Sequence, residues 1–388
     1  MESPYGPGAG VMPPLLAGRD DVRARGSELL SRTVHFGAPG RSPVILTGVR
    51  GVGKTVTLRA IVDEAAASGF VTARVTVDRH GHLPARLAAA LLEATGSFHR
   101  QGGRWKRWRD RMSRLSVEVS VAGVVKIERP AGQLIDPVPV VDADALISAV
   151  ADGARLVREE GSRPGLCLAL DELQEGPEDG LAAVTTLAQE LVDQPLVVIG
   201  AGLPNTPERL MAAGSYAERF QYQALGPLPL YDASAALLIP ANARGVSWQQ
   251  DAAELVLRRA AGAPYLLQMF GDAAWRAGRP DQGGVIDMTA AESGIESATR
   301  ELHGGMFRGR WNRASELERR YLSTMAQLLA ADGAVGTGDV AAALGRTTTQ
   351  LGYVRTRLLD KGLIQAAGWG RVAFSFPGFA EFAASADH

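Results

Sequence analysis

Between residues 44 and 199, short apolar runs alternate with longer stretches whose apolar residues recur every three or four positions. Residues 44–46, 166–170 and 195–199 are compact apolar runs of the kind expected for strands buried on both faces. Residues 70–77 instead alternate apolar with polar and are rich in β-branched side chains. The helical period predicts helices over 55–68, 84–95, 143–160 and 181–192. Strands alternating with helices predict an α/β fold, a parallel sheet with helices on both faces.

Two departures from that rhythm divide the chain further. Residues 99–114 hold seven arginines or lysines against one aspartate, with Trp105 and Trp108 interleaved. Residues 116–128 then alternate like a β-hairpin about Ala122-Gly123, and 130–139 read as a loop, so 97–141 is expected to be an insertion between the second and third strands. After residue 227 the strands are expected to stop, and 231–239, 249–261 and 264–277 read as helices of a small lid. From 313 onward, helices over 316–331, 338–344 and 347–361 precede apolar runs at 363–365 and 372–376 that flank the turn Gly368-Trp369-Gly370. Three helices followed by a hairpin is the winged helix-turn-helix order. The expected division is a flexible Gly- and Pro-rich leader at 1–14, a core at 15–226, a helical lid at 227–312 and a winged-helix domain at 313–388.

Bulk composition excludes several classes of function. The net charge of −1 gives no global field for nucleic acid or anionic lipid, so any such partner needs a local patch. The single cysteine, Cys167, excludes an internal disulfide and a multi-cysteine metal site, and fits a reducing compartment. The six histidines are scattered apart from His80 and His82, which have no further ligand set. No signal-peptide pattern and no membrane-spanning run is present, so a cytoplasmic protein without membrane contact is expected.

One motif carries strong chemistry. Gly48-Val49-Arg50-Gly51-Val52-Gly53-Lys54-Thr55 fits the phosphate-loop pattern in full, directly after an apolar strand and directly before a helix. Its glycines let backbone N–H groups turn toward phosphate oxygens, and the helix N-terminus adds a favourable dipole. Lys54 would reach the β- and γ-phosphates, and Thr55 would ligate Mg²⁺. A second acidic element completes such a site. Residues 166–170 end in Asp171-Glu172, placing one carboxylate to hold Mg²⁺ and a second, Glu172, to orient and deprotonate the attacking water. An acidic pair ending a strand is also a simple helix-capping signal. ATP and Mg²⁺ are the expected ligands.

Together these features resemble the AAA+ ATPases of the origin-recognition-complex-like type and the related STAND signalling ATPases, over about residues 15–384 apart from the insertion. Leu16-Ala17-Gly18-Arg19-Asp20 resembles the family's box before the phosphate loop, which implies that Arg19 and Asp20 line the adenine pocket. The resemblance puts Asn205, in Gly200-Ala201-Gly202-Leu203-Pro204-Asn205, at the sensor-one place, later than usual. It also matches Arg219 to an arginine finger acting on a neighbouring subunit. Gly262-Ala263-Pro264 resembles the STAND GxP motif and makes Pro264 a ligand-side residue, although proline also suits any helix's first turn. No sensor-two arginine is evident, which favours a switch over a replication initiator.

Two functions follow. The first is an ATP-hydrolysing switch whose nucleotide state is coupled to the winged helix, with a homo-oligomer or protein partner. The alternative is a DNA-binding regulator or mobile-element or replication-type factor in which ATP sets conformation. For double-stranded DNA, Thr347, Thr348, Thr349, Gln350, Arg355, Arg357 and Lys361 lie on the presumed recognition helix and Arg371 on the wing. The Arg/Trp segment fits either base stacking with phosphate contact or an amphipathic helix docked on the protein's own core.

Overall fold

The computed structural model describes residues 1–79, 82–96, 102–124 and 143–386. The chain folds as two compact units. One comprises Asp21–Thr47 and Thr57–Ala224; the other comprises Met1–Asp20, Gly48–Val56 and the chain from Leu225 onward.

The first unit is built on a five-stranded, wholly parallel sheet among the described residues: β1 (Val44–Thr47), β2 (Val71–Thr76), β3 (Leu166–Asp171), β4 (Leu196–Gly202) and β5 (Gln221–Ala224), in the order β2-β3-β4-β1-β5. The three central strands are buried along their whole length, which is why they read as unbroken apolar runs. β2, at one edge, is buried on alternate residues, matching its alternating sequence. β5, at the other edge, is only partly buried and its sequence Gln-Tyr-Gln-Ala gives no apolar signal, so the pattern did not predict it. Helices Lys54–Ala67, Leu83–Ala94, Ala143–Glu159 and Glu178–Glu190 occupy the expected stretches. The fold is therefore the expected P-loop type α/β sheet.

The Arg/Trp stretch takes the second of its expected readings, an amphipathic helix docked on the protein's own core, and what differs from expectation is the segment after it. The helix runs over Gly103–Val124, so residues 116–124 are helical where a hairpin was expected to open; the rest of that hairpin, the loop expected at 130–139 and His80 lie outside the described residues. Trp105, Trp108 and Met112, spaced three and four apart, are buried in the unit's own core. The Trp108 indole N–H donates to Ala149 O at 2.7 Å, and a Cβ at Gly153 would stand 2.8 Å from the Trp108 ring, so glycine permits this approach. Arg104 pairs with Glu159 and Glu160, and Arg111 with Asp152, all on the facing helix. The tryptophans are not available for base stacking.

The second unit has its own core. The stretch expected as a lid contains helices Leu230–Asn242, Gln250–Ala260, Pro264–Gly278 and Met288–Leu302, then a wide turn at His303–Phe307 and a short helix Arg308–Asn312. Strands do not stop after 227: β6 (Ser247–Trp248) and β7 (Val285–Ile286) form a small parallel pair, too short to leave a periodic signal. Gly294 lets two lid helices meet, since a Cβ there would lie 2.4 Å from Ala274 N. Residues 1–14, expected as a leader, make contacts with this unit's core. The Tyr5 hydroxyl donates to Leu237 O at 2.6 Å and accepts from the Trp248 indole at 3.0 Å, and the ring sits edge-on to Trp275 in the lid core.

The C-terminal part follows in the order helix Glu316–Gln327, β8 (Ala334–Gly336), helices Thr337–Ala343 and Thr348–Asp360, β9 (Ile364–Ala366), β10 (Arg371–Phe374) and helix Phe379–Ser385. Its sheet is antiparallel with β10 central, and Ser315/Glu318 and Thr347/Gln350 form capping boxes on two of its helices. No helix among the described residues is long and apolar enough to cross a membrane.

Candidate functional site

The phosphate loop leaves the end of β1 and enters the helix that begins at Lys54. Gly51 and Gly53 have φ of 81° and 96°, a region that side chains rarely occupy. A Cβ at Gly48 would stand 2.5 Å from Leu225 O. The loop thus needs glycine for both curl and clearance. Lys54 is buried, and its ammonium donates to Gly48 O at 2.8 Å and Val49 O at 2.9 Å, closing the loop over its own start. Val52 is buried, Arg50 half-buried, and Thr55 is half-buried in the first helical turn. A curled, side-chain-free backbone running into a helix N-terminus beside a lysine ammonium fits nucleotide phosphates. Thr55, in the first turn, fits a metal ligand.

Arg19 sits on this loop rather than on open surface. Its guanidinium donates to Val52 O at 3.0 Å and Gly226 O at 2.8 Å. Burial lowers its pKa, with Asp232 opposing the shift. Asp20 is exposed at the start of helix Asp20–Phe36. Pro264 opens its helix in the first-turn position, after Gly262 at φ 71°, where a Cβ would meet Leu228 O at 2.5 Å. The next residue turns this helix start onto the loop: the Tyr265 N–H donates to Gly51 O at 3.3 Å.

The loop also meets side chains that sequence reasoning did not find. A Cβ at Gly51 would lie 2.9 Å from the Phe376 ring and 3.4 Å from Tyr265 Cβ. The two rings stand 6.0 Å apart, nearly edge-on, and the Arg310 guanidinium lies 5.4 Å from the Phe376 centroid. Burial, reinforced by Arg50 and then Arg313, pushes Arg310 down to about 10. No local pattern marks these residues; only the fold brings them to the loop.

In the sheet unit, Asp171 ends β3 and is buried, and its Oδ1 accepts the Glu172 N–H at 2.9 Å. Glu172 has φ 57°, a left-handed backbone uncommon for a residue with a side chain. Its carboxylate accepts from the Gln174 amide, a residue that the motif search passed over. Asn205 is half-buried and precedes helix Thr206–Ala213 as its cap residue. Arg219 is exposed in the turn Ser215–Arg219 with its guanidinium 5.5 Å from the Tyr216 centroid. Cys167 is fully buried within β3, and burial pushes its thiol up to about 12, so it is a core residue and not a nucleophile.

Two family models match the chain, an AAA ATPase domain over residues 15–199 and a domain of unknown function, DUF8462, over 304–383. Among solved structures, the Walker-type ATPase of Pyrococcus abyssi is similar at 15% identity and a TM-score of 0.61, covering 95% of this chain and 96% of that chain. That likeness extends the shared fold beyond the matched domain. Orc1 of Aeropyrum pernix, solved in complex with DNA, is similar at 19% identity and a TM-score of 0.47, covering 96% of this chain and 93% of that one. The RuvB Holliday junction branch migration motor of Thermotoga maritima is similar at 17% identity and a TM-score of 0.46, with 94% and 96% covered. None of the curated proteins matches the chain. The matched segment contains the phosphate loop and Asp171-Glu172, whereas Asn205, Arg219 and Pro264 lie beyond residue 199.

In the segment matched at 304–383, three of the four basic residues expected to face a partner are paired within the chain. Arg357 and Lys361 pair with the buried Glu318 at 3.1 Å and 2.5 Å, and Arg371 pairs with Asp332 at 2.7 Å. Thr347 and Gln350 cap their own helix. Burial would raise the Glu318 carboxyl, but Lys361, the Ser315 N–H and Arg357 outweigh it and hold it below its ordinary value of 4.5. A carboxylate whose folded pKa is depressed contributes stability above its unfolded value, and loses it as pH falls through the folded one. Urea unfolding of Glu318→Gln and the parent protein should therefore show a stability gap that narrows as pH falls below 4.5. A gap that stays constant across that range would remove this role.

Proposed function

We propose that this chain is a Mg²⁺-dependent, ATP-hydrolysing switch in which the state of the phosphate loop is passed to a C-terminal winged-helix domain. The observation that carries the reading is the packing of Phe376, at the end of β10, against Gly51 of the loop. A loop that must accommodate phosphates cannot shift without moving that ring, or being held by it. The division into a core at 15–226, a lid at 227–312 and a winged helix at 313–388 belongs to the same proposal.

In this reading the backbone of Gly48, Val49, Arg50, Gly51, Val52 and Gly53 cradles the phosphates and Lys54 faces their β and γ oxygens. Thr55 and Asp171 hold Mg²⁺, which when bound neutralises phosphate charge. The strands that lead to Lys54 and Asp171 are parallel members of one sheet, so both chains leave its C-terminal edge. Glu172 orients and deprotonates the attacking water, and Asn205 contacts the γ-phosphate side. Arg19, Asp20 and Pro264 flank the base, with Arg19 fixing the loop through Val52 O. Arg219 is exposed, as a finger acting in a neighbouring copy must be, and a homo-oligomer follows from that role.

Turnover of Glu172→Gln should fall by about 100-fold or more, the range of a lost general base, while ATP binding persists. Unchanged turnover ends the hydrolytic assignment. Phe376→Leu keeps the core apolar but withdraws the ring from Gly51. The native protein should show a different proteolysis rate in its C-terminal part with and without ATP, and Phe376→Leu should abolish that difference while still binding ATP. A difference that survives the substitution separates the two parts.

A second reading, duplex DNA contact by the C-terminal domain, draws on exposed Thr348 and Thr349 at the start of their helix and fully exposed Trp369 on the β9–β10 turn. It predicts duplex binding that weakens steeply with salt and is reduced in Trp369→Ala. Salt-independent binding, or none, ends it.

A further inference from the structure

Gln174 lies in the turn after β3 and is 2% exposed, yet its amide is engaged on both sides. Its Oε1 accepts the Leu203 N–H at 2.9 Å, just past the end of β4. Its Nε2 donates to Glu172 Oε2 and, at 3.5 Å, to Glu175 Oε1. A backbone N–H can only donate, so Leu203 fixes which end of the amide faces β4. The NH2 end is thereby left facing the Glu172 carboxylate. A flipped amide would set donor against donor at Leu203 and acceptor against carboxylate at Glu172.

The seat around this amide is closely built. A Cβ at Gly202 would stand 3.0 Å from Gln174 Oε1 and 2.2 Å from Thr206 Oγ1, so only glycine leaves room at the end of β4. Glu172 is constrained from its other side as well. Its backbone is left-handed at φ 57°, and its N–H is held by Asp171 Oδ1. Strain and hydrogen bonding together aim this carboxylate.

We propose that Gln174 is a positioning residue for Glu172. Anchored to Leu203, it ties the Glu172 carboxylate to the end of β4, so a displacement there, where Asn205 follows, is passed to the base. This rests on the reading of Glu172 as the base in ATP hydrolysis, and its action is on turnover and not on nucleotide affinity.

The test measures kcat and ATP affinity, the latter by direct titration, in the full chain. Gln174→Met keeps the length of the side chain and removes both hydrogen bonds. It should lower kcat by about 10- to 100-fold, the worth of a hydrogen bond to a charged group, with affinity essentially unchanged. Should Gln174→Met fail to fold, Gln174→Asn keeps the amide but shortens its reach, and carries the same expectation. Native kcat in a folded Gln174 variant overturns the proposal. So do parallel losses of kcat and affinity. Glu172→Gln is measured alongside. If it retains turnover, the assignment of the base falls; if it is inactive while Gln174→Met is native, only the positioning role falls.

Discussion

Close backbone approach to the phosphate loop is the constraint on which the second unit depends. Gly48 presses on Leu225 O, and Gly51 has Phe376 and Tyr265 against its Cα. The loop's own carbonyls are answered by Lys54 and Arg19. A segment that must leave its N–H groups available to an anion can be fixed only through its carbonyls and its bare α-carbons. Each neighbouring element uses one of those handles. The turn before helix Asp20–Phe36 supplies Arg19, the start of helix Pro264–Gly278 supplies the Tyr265 N–H, and the C-terminal part supplies the Phe376 ring.

The acidic pair is held differently. Asp171 and Glu172 stand at the end of a strand buried on both faces, so their backbone cannot move freely with the side chains. The left-handed turn at Glu172 and the amide of Gln174 then determine where its carboxylate lies. Two parallel strands, β3 and β4, are thus joined at their C-terminal ends by a side-chain bridge as well as by their ladder. Such a bridge gives the acidic residue a direct mechanical tie to the adjacent strand end.

Basic residues were the least reliable guide to partners. In helix Gly103–Val124, arginines that read as a nucleic-acid patch pair with acids on helix Ala143–Glu159. In the C-terminal part, Arg357 and Lys361 compensate one buried carboxylate. A buried Glu318 without them would carry a large desolvation penalty, so their placement follows from the core as much as from any surface function.

The sequence by itself determined whatever depends on neighbours a few residues apart. The phosphate loop was legible because its glycines, lysine and flanking strand and helix are contiguous. Asp171-Glu172 was legible because it ends an apolar run, and the central strands because burial on both faces leaves no polar positions. β5 was not, since a half-buried edge strand tolerates Gln221 and Gln223. Nor was the ordering of Tyr5, whose partner Leu237 lies 232 residues away, or the helix through residues 116–124, whose alternation imitated a strand. Only tertiary structure decided that Phe376 and Tyr265 meet Gly51, that the tryptophans of the basic helix face inward, and that Gln174 joins Glu172 to Leu203, 29 residues beyond it. Each is a contact between segments distant in the chain, and local periodicity carries no record of which distant surface a side chain will meet.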